Sequence, residues 1–262
     1  MINDRMSIEN VFTKVEADRV FSLERLDRLK ELYNIDDEKL LQLHAHLGLL
    51  NGSIYASVSL FEVHLRNIII ECMDHTFGVN WMDFPDPKLN VFSSMVGNAK
   101  VSAKSNIYSK MPYRKRKAIK GRFPNDPEKI RKSKAIRSVT VSRNDIIPYL
   151  FFSFWKKLFT KPYEHDLWRR GLKKVFPSRS ITRGDVSDSL ETCYKVRNRI
   201  SHNEFVHPKL CRKYIEAIEF LTSELGYGDK SLNEKLSVFH QPYIANIQSE
   251  LSNLEEFLSN DR

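Results

Sequence analysis

The sequence predicts an all-α protein, and three observations carry that expectation. Glycine and proline are sparse, nine and ten in 262 residues, whereas all-β folds spend many residues on Gly-rich turns. Apolar residues recur at helical spacing along most of the chain. No segment alternates apolar and polar residues for long enough to argue a sheet.

In chain order, Leu23, Leu26, Leu29 and Leu32 mark one helix, and Leu40, Leu41, Leu43, Leu47 and Leu50 mark another. Asn51-Gly52 reads as an interruption, with Ser53 as N-cap of a helix from Ile54 to about Phe77. Its apolar face is Val58, Phe61, Leu65, Ile68, Ile69 and Cys72, and Gly78, Pro85 and Pro87 close it and open a loop. From Ile146 to Phe159, residues Leu150, Phe151, Phe154, Trp155 and Leu158 give the wide apolar face of a buried helix. Leu167, Trp168, Leu172 and Val175 continue the core over a helix at 162–175, up to Phe176-Pro177. Asp185 or Ser187 then caps a helix carrying Leu190, Cys193, Val196 and Ile200, which stops at 202–204. Pro208 opens the next, through Leu210, Tyr214, Ile215, Ile218 and Leu221 to Gly226. A last amphipathic helix is expected from Pro242 to Leu258.

Charge is unevenly spread. The chain carries a formal net charge of +9, yet Lys100 to Arg143 alone holds fifteen Lys or Arg against two acids, Asp126 and Glu128. The rest is therefore net negative, and the basic character is one local feature suited to a polyanion. Arg114, Lys115, Arg116, Lys117, Lys120 and Arg122 lie there among Tyr108, Tyr113 and Phe123. Apolar residues are few, so the segment reads as a mobile, solvated insertion. Two uses are open: a plain solvated face, or an RNA surface that neutralises phosphates and stacks bases. A third is a hold for an inhibitory partner.

Cys72, Cys193 and Cys211 are scattered and odd in number, which reads as buried thiols in a reducing compartment. The start of the chain has Asp4, Arg5 and Glu9 and no apolar run of the signal-peptide kind. The longest uncharged stretch, Ile146 to Trp155, is about half of a membrane span. A cytoplasmic protein is expected. His44 and His46, two apart on a helix, point different ways and make a poor metal pair, and His207 reads as a loop histidine beside Pro208. No HExxH, P-loop, dinucleotide fingerprint or carboxylate cluster occurs, so neither a metal nor a cofactor is expected.

The segment Lys195-Val196-Arg197-Asn198-Arg199-Ile200-Ser201-His202-Asn203-Glu204 carries the chemistry. Arg197 is seven residues after Leu190 and so on nearly the same face as the core positions, where a charged side chain needs a partner or a purpose. His202 is five residues further, about 140° around a straight helix. For one Arg and one His to converge, either the helix ends between them or two copies of the chain meet in a symmetric groove. The bland reading is a helix end whose Arg pairs with an acid such as Glu204.

This run resembles the signature of Abi-like proteins, phage-defence members of the HEPN superfamily, in which Arg-Asn-Arg-x-x-His-x-Glu ends a core helix. Upstream, Tyr55, Glu62, Leu65-Arg66-Asn67, Gly78 and Trp81 are similar to the family's first core helix and the turn after it. Phe151 to Trp155, and Leu167-Trp168 through Phe176-Pro177, are similar to its middle helices. Asn203 stands where the family often has a second His, and Phe205 where it often has Pro. The resemblance spans roughly Ser53 to Ile218.

The resemblance implies an HEPN-type helical bundle over 53–226, to which the pattern of the chain itself adds a helical extension at 1–52, the basic insertion at about 96–143 and a C-terminal helix in 227–262. It implies a metal-independent endoribonuclease working as a homodimer, with Arg197 and His202 catalytic and RNA as substrate. Asn198, Arg199, Asn203 and Glu204 would support them. Glu62 and Arg66, four apart, read as an ion pair, or with Asn67 as residues behind the active site. A toxin of this kind calls for an antitoxin, RNA or protein. The alternative is a non-catalytic RNA-binding module on the same dimeric scaffold.

Overall fold

The computed structural model describes residues 12–83, 89–227 and 230–259. The protein is all-α: the described residues hold helices and turns and no strand. The expected loop at Pro85 and Pro87 and the charged start of the chain lie outside the described residues. None of the described helices is long and apolar enough to cross a membrane.

The fold divides into two compact units, the first from the described residues of Met1–His64 and Phe176–Arg262, the second from those of Leu65–Val175. Unit one opens with α1 (Lys14–Phe21) and α2 (Leu23–Tyr33). A capping box starts α1: Thr13 Oγ accepts from Glu16 N–H, and the Glu16 carboxylate accepts from Thr13 N–H at 2.8 Å. On α2, Leu26 and Leu29 are buried, whereas Leu23 and Leu32 stay exposed.

Helix α3 (Asp37–Phe77) is continuous through Asn51-Gly52, where the sequence predicts a break. The reason is its stripe of fully buried residues, Leu43, Leu47, Leu50, Ile54, Val58, Phe61 and Leu65, whose spacing of three and four residues runs unbroken past the glycine. Gly78, at φ +82°, ends it as expected.

The rest of unit one is α9 (Arg183–Ser201), α10 (Pro208–Glu224) and α11 (Lys230–Ser259). Thr182, not Asp185 or Ser187, caps α9; Asp185 is the reciprocal partner at the third position, accepting from Thr182 N–H at 2.9 Å. Pro208 is the first residue of α10, and the His207 side chain accepts from Lys209 N–H at 3.2 Å. Pro242 lies inside α11 and does not start it. Pro242 and Val238, whose carbonyl the proline ring leaves without a donor, are both exposed, so water can solvate that carbonyl. In the core, Tyr214 donates to Ser57 Oγ at 2.9 Å, which satisfies two buried hydroxyls.

Unit two takes up α3 from Leu65 and adds α4 (Asn90–Lys110), α5 (Tyr113–Lys120), α6 (Glu128–Arg137), α7 (Arg143–Ile146) and α8 (Phe152–Lys157). The segment expected to be a solvated insertion thus forms helices about a small core of its own. Tyr108, Ala135 and Val139 are buried there, with Ile107, Met111, Ile119, Phe123, Ile136 and Val141 packed against them.

The helix expected at 146–159 is split, because Pro148 sits in a 3₁₀ turn at Ile147–Tyr149 and Phe151 is extended before α8 begins. The helix expected at 162–175 is a chain of short turns, Lys161–Tyr163, Glu164–Trp168 and Leu172–Val175. Close approach to α3 fixes that course: a Cβ on Gly171 would stand 2.8 Å from the Thr76 side chain, and Cys72 Sγ donates to the Gly171 carbonyl at 3.4 Å.

All three cysteines are buried and unpaired. Burial pushes the Cys72 thiol up to about 11 and the Cys211 thiol up to about 12, and it raises Cys193 as well.

Candidate active site

The signature occupies the last turns of α9. Val186, Leu190, Cys193 and Val196 bury one face of the helix, and Arg197 falls at its edge, half-buried. His202 is exposed at the C-cap, so α9 ends where the two side chains would have to converge. Among the described residues, neither the Arg197 guanidinium nor the His202 ring has a hydrogen-bond or ionic partner. Asn198 is half-buried beside Arg197.

The helix terminates in a Schellman motif. Asn203 N–H donates to the Ile200 carbonyl at 3.0 Å, and Glu204 N–H to the Arg199 carbonyl at 2.8 Å. Asn203 adopts φ +56°, the left-handed conformation that the motif requires. Outside glycine, Asn tolerates this best, so its place in the signature has a backbone reason.

The ion pair expected of a bland helix end exists, but Arg199 makes it. Its Nη2 lies 3.4 Å from Glu204 Oε2, both side chains exposed, and its Nε donates to the Phe205 carbonyl at 3.3 Å. Arg197 therefore has no share in it.

Residues outside the signature hold the segment that follows. Asn51 Nδ2 donates to the Glu204 carbonyl at 2.9 Å, and Asn51 Oδ1 accepts from Val206 N–H at 3.1 Å. Arg25 of α2 donates to the Asn203 carbonyl at 2.8 Å and stacks on Phe205 at 4.7 Å. His44 meets the Phe205 ring edge-on at 5.0 Å, and burial lowers its pKa, with Arg25 adding to the shift. Arg25, Arg28, Arg199, Asn203 and Phe205 line a cleft of about 960 Å³ in unit one. Sequence reading missed Asn51, Arg25 and Arg28. Asn51 carried the one usable signal, a polar residue interrupting a leucine stripe, but beside Gly52 it reads as a turn.

The remaining expected residues fall elsewhere. Glu62 is half-buried on α3 in unit one. Arg66 and Asn67 fall in unit two, where they line a cavity of about 490 Å³ with Glu71, Asp74 and His75. Arg66 Nε is sealed from solvent there without a hydrogen-bond partner. Beside it, Asp74 accepts from Trp81 Nε1 at 2.8 Å and pairs with Arg143 at 2.8 Å. The expected RNA contacts Arg114, Lys115, Arg116, Lys117 and Lys120 lie on α5, which buries none of its residues, and Arg122 follows in the turn. Of these, Lys120 is paired with Glu128.

Comparison with known protein families, with curated proteins and with solved structures returns no match for this chain.

Proposed function

We propose that this protein is a metal-independent endoribonuclease of the HEPN type, acting in the cytoplasm as a toxin in phage defence or a toxin–antitoxin pair. One observation carries the reading. A half-buried arginine at the core-side edge of α9 and an exposed histidine at its C-cap stand five residues apart in the signature order, and both are unpartnered among the described residues. An arginine so placed and spent on no internal ion pair is available to an incoming anion.

The chemistry follows from the residue types. The ribose 2′-hydroxyl attacks the adjacent phosphorus, the P–O5′ bond breaks, and the products are a 2′,3′-cyclic phosphate and a 5′-hydroxyl. An imidazole takes the proton from the 2′-hydroxyl and another delivers one to the leaving oxygen, help that is typically worth about 10²–10⁴-fold. Arg197 forks two N–H donors onto the phosphoryl oxygens as charge builds. One copy of the chain supplies one such histidine. Two copies meeting about a twofold axis supply a base and an acid, which is why a homodimer belongs to the proposal.

Purified protein incubated with a tRNA pool in EDTA, beside Arg197→Ala/His202→Ala, tests this. Fragments with cyclic-phosphate ends, reduced at least about 100-fold in the double variant, are expected. RNA left intact by protein stripped of any copurifying partner would remove the nuclease assignment. Salt-sensitive RNA binding without cleavage would replace it with a binding module, a reading that the exposed cations Arg114, Lys115 and Lys117 of α5 support.

A further inference from the structure

Of the fifteen cations of 100–143, ten sort into two groups. Four are spent on the subdomain itself. Lys104 donates to the Arg137 carbonyl at 2.6 Å, and Lys120 pairs with Glu128. Arg131 reaches the carbonyls of Pro124 and Asp126 at 3.0 and 3.1 Å. Lys134 pairs with Asp126 at 2.9 Å and covers the Phe123 ring at 5.9 Å. Against these stand Arg114, Lys115 and Lys117 on α5 and Lys129, Lys132 and Arg137 on α6, exposed and, among the described residues, with side chains free of any hydrogen bond or ion pair. Six like charges left unneutralised on two short helices repel one another, a cost that a polyanion relieves.

Which polyanion is decided by what accompanies the charge. Tyr113 is the one exposed ring among the described residues of α4 to α6, since Tyr108 is buried and Phe123 is half-buried under Lys134. Single-strand binders use successive aromatic platforms, and one ring is too few. An anionic membrane calls for an apolar helix face to insert. Ile119 on α5 and Ile136 on α6 pack inward on the small core, which leaves Ile130 as the one exposed large aliphatic residue of the described residues of these two helices, too little for such a face. What remains is recognition of phosphates at fixed spacing by helices that do not need to reorganise.

We propose that the α4–α6 subdomain docks double-helical or compactly folded RNA through its phosphates. Arg114, Lys115, Lys117, Lys129, Lys132 and Arg137 make the contacts, while Lys104, Lys120, Arg131 and Lys134 hold the subdomain together. This rests on the reading of the protein as one that acts on RNA, and it narrows the substrate from RNA in general to structured RNA.

The test uses a short RNA duplex carrying 2′-O-methyl riboses, and its single strand, bound to the full chain over a salt series. The blocked 2′-oxygen prevents cleavage, so binding is read whether or not the protein is a nuclease. The duplex is expected to bind more tightly than the strand. Arg114→Ala/Lys117→Ala/Lys132→Ala should make the slope of log K against log salt shallower by about 0.9 per cation, with an unchanged Tm. Arg131→Ala/Lys134→Ala should lower the Tm and leave the slope alone. An unchanged slope in the triple variant, tighter binding of the single strand, or capture on anionic vesicles without duplex binding would each overturn the proposal. Duplex binding by a protein that leaves ordinary RNA intact would support it while removing the nuclease reading.

Discussion

At the scale of single residues, the signature divides into side chains that are available and side chains that build the helix end. Asn203 belongs to the second group through its backbone. Replacing it with Gly, which occupies the left-handed region freely, should leave the urea midpoint nearly unchanged. Asn203→Val should cost about 1–2 kcal/mol, because a β-branched residue at φ +56° is strained. Equal midpoints for the two variants would show that the conformation is not what selects asparagine. The sequence made the half-buried position of Arg197 legible, since a seven-residue step from Leu190 puts its charge at the edge of a core face. It could not reveal Asn51 or Arg25. Their partners lie 153 and 178 residues away, at Glu204 and Asn203, and no local pattern encodes so distant a bond.

At the scale of elements, boundaries were read best where a single local cause fixes them. Gly78 closes α3 and Pro208 opens α10 at the expected places. Errors arose where a local breaker was outweighed. Asn51-Gly52 is a strong turn signal, yet burial of a continuous stripe on α3 overrides one poor helix former, and Pro242 is tolerated on the solvent side of α11. Gly52 is therefore a residue carried at a cost. A Cβ there meets nothing within 4 Å, so Gly52→Ala should raise stability by about 0.5–1 kcal/mol in urea unfolding. A loss of stability would mean that the chain needs a flexible joint at that point. The reverse error, at 162–175, had a tertiary cause: Gly171 pressed on Thr76 is invisible in a window of neighbouring residues.

At the scale of the whole molecule, composition announced the all-α class and the basic segment but not how the latter folds. Its apolar residues, from Ile107 to Val141, are spread over three helices and form a cluster only once these have packed. The histidine pair of unit one gives the fold a dependence on acidity that the sequence did not suggest. His64 Nδ1 and His240 Nε2 stand 3.1 Å apart, with Phe61, Phe239 and Tyr243 around them. Burial, and then His64, pushes His240 down to about 4, while burial also lowers His64. With a folded value below the ordinary 6.5, the unfolded chain binds the proton first as pH falls. Stability present above pH 6.5 is lost towards pH 4, by up to about 1.4 kcal/mol per unit for His240. The urea midpoint should drop between pH 7 and pH 5, and His240→Leu should flatten that drop. An equal drop in the variant would assign it to other groups.

The division into two units also sets a timetable for synthesis. The first half of α3 leaves the ribosome with Leu43, Leu47, Leu50, Ile54, Val58 and Phe61 on one face, while its bonding partners Glu204, Val206 and Tyr214 follow only after Leu65–Val175. At ordinary elongation rates that interval is about 6–22 s. A nascent copy thus carries this leucine face without those partners for many seconds, long enough for a chaperone to engage it. The exposure ends only once the segments carrying those partners, the end of α9 and the start of α10, have been made. The signature at the end of α9 is therefore bonded to α3 only after the whole of the second unit has been synthesised.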